Sequence, residues 1–120
     1  MGNHGQLVEV IRTAHDRGIR VVADLIVNHT SDRHPWFVAS RRSLDNPYRD
    51  YYIWRSTDPG DTSAKVVFPG EETGIWTHDD RTDEWYLHHF YAHQPDLNLA
   101  NPAVVEELLR TVGFWLEVGI

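Results

Sequence analysis

The sequence predicts an α/β fold, and two adjoining stretches near its start carry that prediction. Residues 6 to 17 place apolar side chains at helical spacing, and Gly18 follows as the residue that ends this helix in the left-handed conformation. The run from Ile19 to Val27 is β-branched and apolar on both faces, which is typical of a parallel strand covered on both sides. A helix, a one-residue turn and a buried strand together form half of an α/β repeat.

A second helix is predicted near the end of the chain. Asn101 is a candidate N-cap, Pro102 suits the first helical position, and Gly119 should end the helix. Ile120 would then open another strand. The broad apolar face of this helix consists of Val105, Leu108, Leu109, Val112, Trp115 and Leu116.

Residues 30 to 95 separate the predicted strand from the second helix, whereas a βα connection usually takes about 2 to 6 residues. This stretch holds four of the five Trp and all five Tyr residues. Short alternating runs such as DYYIW and EWYLHHF, with Pro-, Gly- and Asp-rich turns between them, predict a small, irregular antiparallel unit. We therefore predict framework segments at 1–29 and 96–120 and an inserted, β-rich subdomain at 30–95.

Composition narrows the possible partners. A net charge of −7, from 18 acidic and 11 basic residues, disfavours a nucleic-acid-binding surface. Because the chain has no cysteine, any metal must be bound by oxygen or imidazole ligands. No run of about 18 apolar residues and no signal peptide is present, so we expect a cytoplasmic protein without membrane association.

Polar side chains cluster where the apolar run ends. Asp24 and Asn28 share one face of the predicted strand by its period of two, and His29 follows immediately. In α/β proteins the carboxyl ends of parallel strands line the active site, which favours a functional role here. The alternative is that Asp24 caps a neighbouring loop while Asn28 and His29 begin a turn.

A second polar stretch, HQPDLNLANP, lies where the insertion rejoins the framework. Asp96 and the carbonyl of Asn28 are candidate oxygen ligands for calcium, while Gln94 and His29 suit a ligand rich in hydroxyl groups. A proline-bounded turn followed by a helix cap is the other interpretation. Three further histidines, His88, His89 and His93, lack the spacing of a zinc motif, and no nucleophile elbow accompanies Ser31.

Together these two stretches resemble a known family. DLIVNH, residues 24 to 29, is similar to the D-x-x-x-N-H region of the α-amylase family, glycoside hydrolase family 13, at the end of the third strand of a (β/α)8 barrel. QPDLN, residues 94 to 98, resembles a segment near the end of that family's inserted domain B. NHTSDRHPWF, NPYRDYYIWR and HQPDLNLANPAV resemble the branch that contains trehalose synthases and oligo-1,6-glucosidases. His93 favours the trehalose synthases, whereas YRDYYIWR is shared with the glucosidases.

The resemblance implies a partial (β/α)8 TIM barrel. Residues 1–29 would supply helix 2 and strand 3, residues 30–95 domain B, and residues 96–120 helix 3 and the start of strand 4. It also implies that His29 and Gln94 bind the substrate, that Asn28 and Asp96 bind a structural calcium ion, and that Asp24 is a supporting carboxylate.

The resemblance further implies a retaining mechanism, in which two carboxyl groups about 5 to 5.5 Å apart flank the scissile bond. In this family the nucleophile Asp and the acid/base Glu follow the fourth and fifth strands, so both are expected beyond Ile120 and none of the catalytic acids within this fragment. The implied function is trehalose synthase, which converts maltose to trehalose by intramolecular glucosyl transfer.

Two other functions remain open. An α-glucosidase, an oligo-1,6-glucosidase or an α-amylase would admit water and hydrolyse the bond instead. A free-standing, non-catalytic module that binds sugar or calcium is a different class of protein, and an isolated barrel segment would expose much apolar surface, which argues against it. In either enzyme version, the fragment alone is expected to be inactive.

Overall fold

A computed structural model describes residues 2–120 and contains three α-helices and three short strands. The chain divides into two compact units, one running from the N-terminus to Ile26 and again from Glu106 to Ile120, and the other spanning Val27–Val105. In chain order the helices and strands are α1 His4–Asp16, α2 Pro35–Ser40, β1 Trp54–Arg55, β2 Trp76–Asp79, β3 Glu84–Leu87 and α3 Pro102–Glu117. Single 3₁₀ turns lie at Arg49–Tyr51 and Ser63–Lys65.

The predicted first helix is confirmed as α1. A reciprocal cap begins it, since the Asn3 side chain accepts from the Gln6 N–H at 2.9 Å while Gln6 Oε1 accepts from the Asn3 N–H at 3.0 Å. Gly18 follows the helix with a φ of 73°, a left-handed value that glycine adopts without steric cost.

The second predicted helix is confirmed as α3. Pro102 occupies its first position, and the Asn101 side chain accepts from the Ala103 N–H at 3.0 Å, as expected of an N-cap. Gly119, with a φ of 102°, follows the last turn. Among the described residues, no helix combines the length and the apolar character needed to cross a bilayer.

The structure does not confirm the predicted strand from Ile19 to Val27 or the strand expected to begin at Ile120. Neither segment pairs with another strand in the described part of the chain. A strand exists only where a neighbour receives its backbone N–H and C=O groups, and apolar periodicity in one segment does not provide that neighbour. Side chains expected to be covered are instead exposed, for example Val22 at 87%.

The second unit contains the three strands, which form an antiparallel sheet in the order β1-β3-β2. Tyr86 at the centre pairs with Trp54 on one side and Thr77 on the other. The predicted run EWYLHHF thus contributes β3, whereas DYYIW contributes only the start of the two-residue β1. A small antiparallel sheet is therefore present, as the alternating runs predicted.

Aromatic rings fill the space between this sheet and α2. Phe37, which is 1% exposed, stacks on Trp54 with ring centroids 5.9 Å apart. It also meets the edges of Tyr52 and Tyr86, each at 5.0 Å. Offset and edge-to-face contacts of this kind add to the hydrophobic stabilisation that the rings provide by burial. These aromatic side chains therefore serve packing.

A buried arginine joins the elements around that core. The Arg49 guanidinium lies 3.7 Å from the centroid of the Trp54 ring and donates to Glu84 Oε1, Thr82 Oγ1 and the Ser40 carbonyl. A buried charge is tolerated when it is paired and hydrogen-bonded, and here both terminal nitrogens of the guanidinium donate to a partner. Arg49 consequently connects α2, β1 and the β2–β3 hairpin.

One exposed histidine should make the stability of that hairpin depend on pH. His78 lies 2.7 Å from Asp83 Oδ1 and 3.1 Å from Asp80 Oδ1, and the hydrogen bond to Asp83, assisted by the two charges, raises its pKa above the ordinary 6.5. Because the pKa is higher in the folded state, the contribution is complete below about pH 6.5 and is lost as pH rises through the folded value.

An NMR titration of the His78 ring should therefore give a pKa above 6.5. Asp83→Asn should bring the value back towards 6.5, since it removes the charge while asparagine still tolerates the φ of 54° at this position. An unchanged pKa in this variant would show that Asp83 does not hold the imidazolium.

Candidate functional site

The two polar segments that the sequence analysis singled out lie side by side in the second unit. Residues 28–32 and 93–97 run antiparallel, with His29 opposite Asp96 in an isolated bridge. Three backbone hydrogen bonds join them: Leu97 N–H to Asn28 O at 2.9 Å, Thr30 N–H to Pro95 O at 3.2 Å, and Asp32 N–H to His93 O at 2.9 Å. Asn28, His29, Gln94 and Asp96 are thereby brought together.

A third segment, residues 50–52, holds the other side of residues 96–98. Tyr52 bridges to Leu97, and the Asn98 N–H donates to the Tyr51 carbonyl at 2.8 Å. The amides of Asn98 and Asn101 both donate to the Asp50 carbonyl at 3.0 Å. The Asn98 and Asn101 side chains thus satisfy backbone groups next to the site, a role that favours precise placement of Asp96.

His29 has a buried ring nitrogen without a hydrogen-bond partner. Among the described residues its Nδ1 is the one buried side-chain polar atom that lacks a partner, while the ring edge meets Phe90 at 5.5 Å. Leaving such a group unpaired costs about 1 to 3 kcal/mol, so an unpaired nitrogen in a polar cluster indicates a partner from outside these residues.

Asp96 carries a buried carboxylate, 7% exposed, that is paired with His89. Its Oδ1 accepts from the His89 backbone N–H at 3.1 Å, and its Oδ2 accepts from His89 Nδ1. His89 was missed as a site residue by sequence reasoning, which considered it only beside His88 and His93 as a poor zinc motif. Its position five residues before QPDLN was the only local signal.

Asn28 and Asp96 offer oxygen ligands of the type that calcium prefers. Asn28 and Asp96 lie on adjacent segments, and an amide oxygen and a carboxylate are ligands that calcium accepts. His89 occupies one lone pair on each Asp96 oxygen, and each oxygen retains a second. Calcium takes 6 to 8 oxygen ligands, and residues 2–120 contain no group of three or more His, Cys, Asp or Glu side chains that could hold a metal. Further ligands would have to come from water or from other parts of the protein.

Gln94 lies half-buried beside these residues. Its N–H donates to the Tyr91 carbonyl at 2.9 Å, which fixes the backbone. Its side-chain oxygen accepts from the Tyr91 N–H only at 3.5 Å, at the outer limit of a hydrogen bond. The protein therefore holds the Gln94 backbone firmly and its amide weakly, which leaves the amide suitable for contact with a ligand.

The buried Tyr52 anchors the segment of residues 28–32. Its hydroxyl lies 2.7 Å from Thr30 Oγ1, and burial raises the pKa of Tyr52 to about 12 against the opposing effect of this hydrogen bond. The phenol is accordingly neutral at physiological pH and acts as an anchor rather than a base. The sequence offered no signal for this pair, whose members are far apart in the chain.

Asp24 belongs to the other compact unit. It is exposed and lines a cavity of about 130 Å³ together with Leu25, Val112, Trp115 and Leu116. Its predicted role as a supporting carboxylate stays a prediction.

One family model and several known proteins are similar to this chain. Residues 1–120 match the family model described as "Alpha amylase, catalytic domain". The chain is 45% identical over 119 residues, 99% of its length, to a trehalose synthase/amylase from Mycobacterium tuberculosis, strain CDC 1551. It is 50% identical over 113 residues, 92% of its length, to an oligo-1,6-glucosidase from Parageobacillus thermoglucosidasius.

A similar fold occurs in solved structures of related enzymes. The trehalulose synthase MutB from Pseudomonas mesoacidophila superposes with a TM-score of 0.87 at 39% identity, over 99% of this chain and 21% of that one. The chain spans about a fifth of the length of the relatives it matches, 20% for both the trehalose synthase/amylase and the glucosidase. Since the family model covers all 120 residues, the chain belongs to the α-amylase family and lies within its catalytic domain.

Proposed function

We propose that residues 1–120 form part of a retaining enzyme acting on α-glucosides, and that this enzyme is a trehalose synthase. The observation that carries the proposal is the pairing of Asn28 and His29 with the Gln94–Asp96 segment, which gathers an imidazole, an amide and a carboxylate in one place. Identity of 45% to a trehalose synthase/amylase supports it.

The same proposal assigns the parts of the fold. Residues 1–29 and 96–120 would belong to a (β/α)8 barrel, and residues 30–95 to domain B. Exposed apolar side chains along 19–26 suit a segment that pairs with further strands of a barrel, and the likeness to trehalulose synthase over 99% of the chain supports this arrangement.

The reaction would proceed by double displacement. A carboxylate attacks the anomeric carbon of the glucosyl unit, the bond to the leaving sugar breaks, and a carboxylic acid protonates the departing oxygen. In the second step the anomeric hydroxyl of the retained glucose attacks the anomeric carbon of the glucosyl-enzyme and gives its proton to the carboxylate that acted as acid in the first step. The bond to the enzyme's nucleophile breaks, and the α,α-1,1 linkage forms. We place both carboxyl groups outside residues 1–120, and the described residues would bind and orient the sugar.

His29 and Gln94 would hold the reacting glucosyl ring. Hydroxyl groups both donate and accept, so an imidazole and an amide match them better than charged groups of one sign. The edge contact between His29 and Phe90 restricts the imidazole ring, and restricted groups lose less entropy when they bind.

A hydrolase is the second candidate, and the 50% identity to an oligo-1,6-glucosidase is the observation that favours it. The two candidates differ in whether water or the retained sugar attacks the glucosyl-enzyme.

Incubating the complete enzyme with maltose should yield trehalose as the main product. Glucose as the sole product would instead establish the hydrolase.

The role of His29 is tested by His29→Ala in the complete enzyme. We expect kcat/KM for maltose to fall at least about tenfold, because one hydrogen bond to the sugar of about 1.5 kcal/mol is lost. Stability should fall by no more than about 1.5 kcal/mol, the order of one aromatic contact, because Nδ1 makes no hydrogen bond here. The matched control is the exposed His78→Ala, which should retain activity; equal kinetics for the two variants would refute the role of His29.

A structural calcium ion held by Asn28 and Asp96 is the cofactor we propose. When bound, the ion would neutralise the buried Asp96 carboxylate and join the two segments. Calcium at 100 times its dissociation constant should stabilise the protein by about 2.7 kcal/mol, measured as an increase in Tm. The increase should disappear in Asp96→Asn and persist in the surface variant Asp61→Asn. A Tm unaffected by both chelator and calcium would eliminate the ion.

A further inference from the structure

The loop of residues 88–96 connects the central strand to the candidate sugar site. Backbone hydrogen bonds hold both ends of the loop in place. The His88 N–H donates to the Ile75 carbonyl at 2.7 Å, and the Asp96 N–H donates to the Leu87 carbonyl at 3.0 Å. Between these ends lie Phe90, which contacts His29, and Gln94. Whatever sets the shape of this loop therefore sets the position of groups in the site.

His88 lies inside the base of the loop and is completely buried, at 0% exposure. Its Nδ1 lies 3.1 Å from the Phe90 carbonyl, and since a carbonyl only accepts, Nδ1 must carry the hydrogen. Its Nε2 lies 2.7 Å from Thr77 Oγ1, so in the neutral ring Nε2 accepts from the Thr77 hydroxyl. The imidazole thus links strand β2 to the middle of the loop.

A second pair of side chains holds the loop two residues later. The Tyr86 hydroxyl donates to the Ala92 carbonyl at 2.6 Å, and the Ala92 N–H donates to Glu72 Oε1 at 2.8 Å. Burial, followed by the charge of Asp32, raises the pKa of Tyr86 to about 12, so the phenol stays a donor. With His88, two side chains from the β3 end of the sheet fix two backbone carbonyls of one loop.

Hydrophobic packing alone does not account for a histidine in this position. A fully buried polar ring costs free energy unless both nitrogens are bonded, and an apolar residue of similar volume would fill the space without that cost. What an apolar residue lacks is a directed donor for the Phe90 carbonyl. The bond therefore serves the geometry of the loop.

We propose that His88 is a positioning residue for the sugar site: it fixes the Phe90 carbonyl and, through the Phe90 ring, the orientation of His29. This inference rests on the proposed function, because it concerns the binding of the α-glucoside at that site. His88 itself contacts no substrate in this assignment. A displacement of about 1 Å in a binding group can cost roughly 100-fold in rate.

Three substitutions in the complete enzyme test separately the two hydrogen bonds of the His88 ring, to Thr77 and to the Phe90 carbonyl. His88→Leu removes both, His88→Asn places an amide donor near the position of Nδ1, and His88→Gln places an amide near the position of Nε2. We expect His88→Leu to lower kcat/KM for maltose by about 10- to 100-fold. His88→Asn should recover more of the activity than His88→Gln, and His78→Leu, on the exposed side of β2, should retain it.

Hydrogen exchange distinguishes positioning from simple stability. Amides of residues 91 to 94 should exchange faster in His88→Leu and His88→Gln than in His88→Asn, whichever variant has the higher Tm. Unchanged kcat/KM in His88→Leu, or the same recovery by asparagine and glutamine, would overturn the inference while leaving the proposed function intact. If the wild-type enzyme acts on no α-glucoside, the proposed function fails, and the exchange rates alone decide whether His88 fixes the loop.

Discussion

The antiparallel contact between residues 28–32 and 93–97 is the interaction on which the candidate site depends. Three backbone hydrogen bonds join segments more than 60 residues apart in the chain, and a third segment at 50–52 satisfies the other side. Because backbone hydrogen bonds fix the register of the two segments, they determine which side chains lie opposite each other. His29 and Asp96 are opposite for that reason, and every role assigned to them follows from this register.

Around that contact the second unit relies on paired polar groups inside an aromatic core. Arg49 is stacked on Trp54 and hydrogen-bonded, the buried Asp79 accepts from Arg41 at 2.7 Å, and Asp96 accepts from His89. Each such bond has a direction, whereas apolar packing tolerates sliding. The strands of this unit are short, and so small a sheet cannot define the geometry by itself. The directed hydrogen bonds supply that geometry.

The chemistry of these residues suits them to binding in the proposed enzyme, while the catalytic carboxyl groups are placed elsewhere. An imidazole, an amide and a carboxylate already bonded to histidine suit the binding of hydroxyl groups and of a hard cation, not attack on an anomeric carbon. The chain is similar both to a trehalose synthase/amylase and to an oligo-1,6-glucosidase, so the proposed binding role does not depend on which of the two reactions follows. In the proposed function, the described residues would form the binding part of such a site.

The sequence by itself determined the two long helices with their capping residues, the aromatic insertion and the two motifs that identify the family. Those features are local, since caps, periodicity and short motifs depend on residues within a few positions of each other. Only the tertiary structure decided that Ile19–Val27 has no strand partner within residues 2–120, that His89 is hydrogen-bonded to Asp96, that Tyr52 holds Thr30, and that His88 bonds the Phe90 carbonyl. Such outcomes require a partner distant in the chain or a particular loop geometry, and one-dimensional periodicity encodes neither.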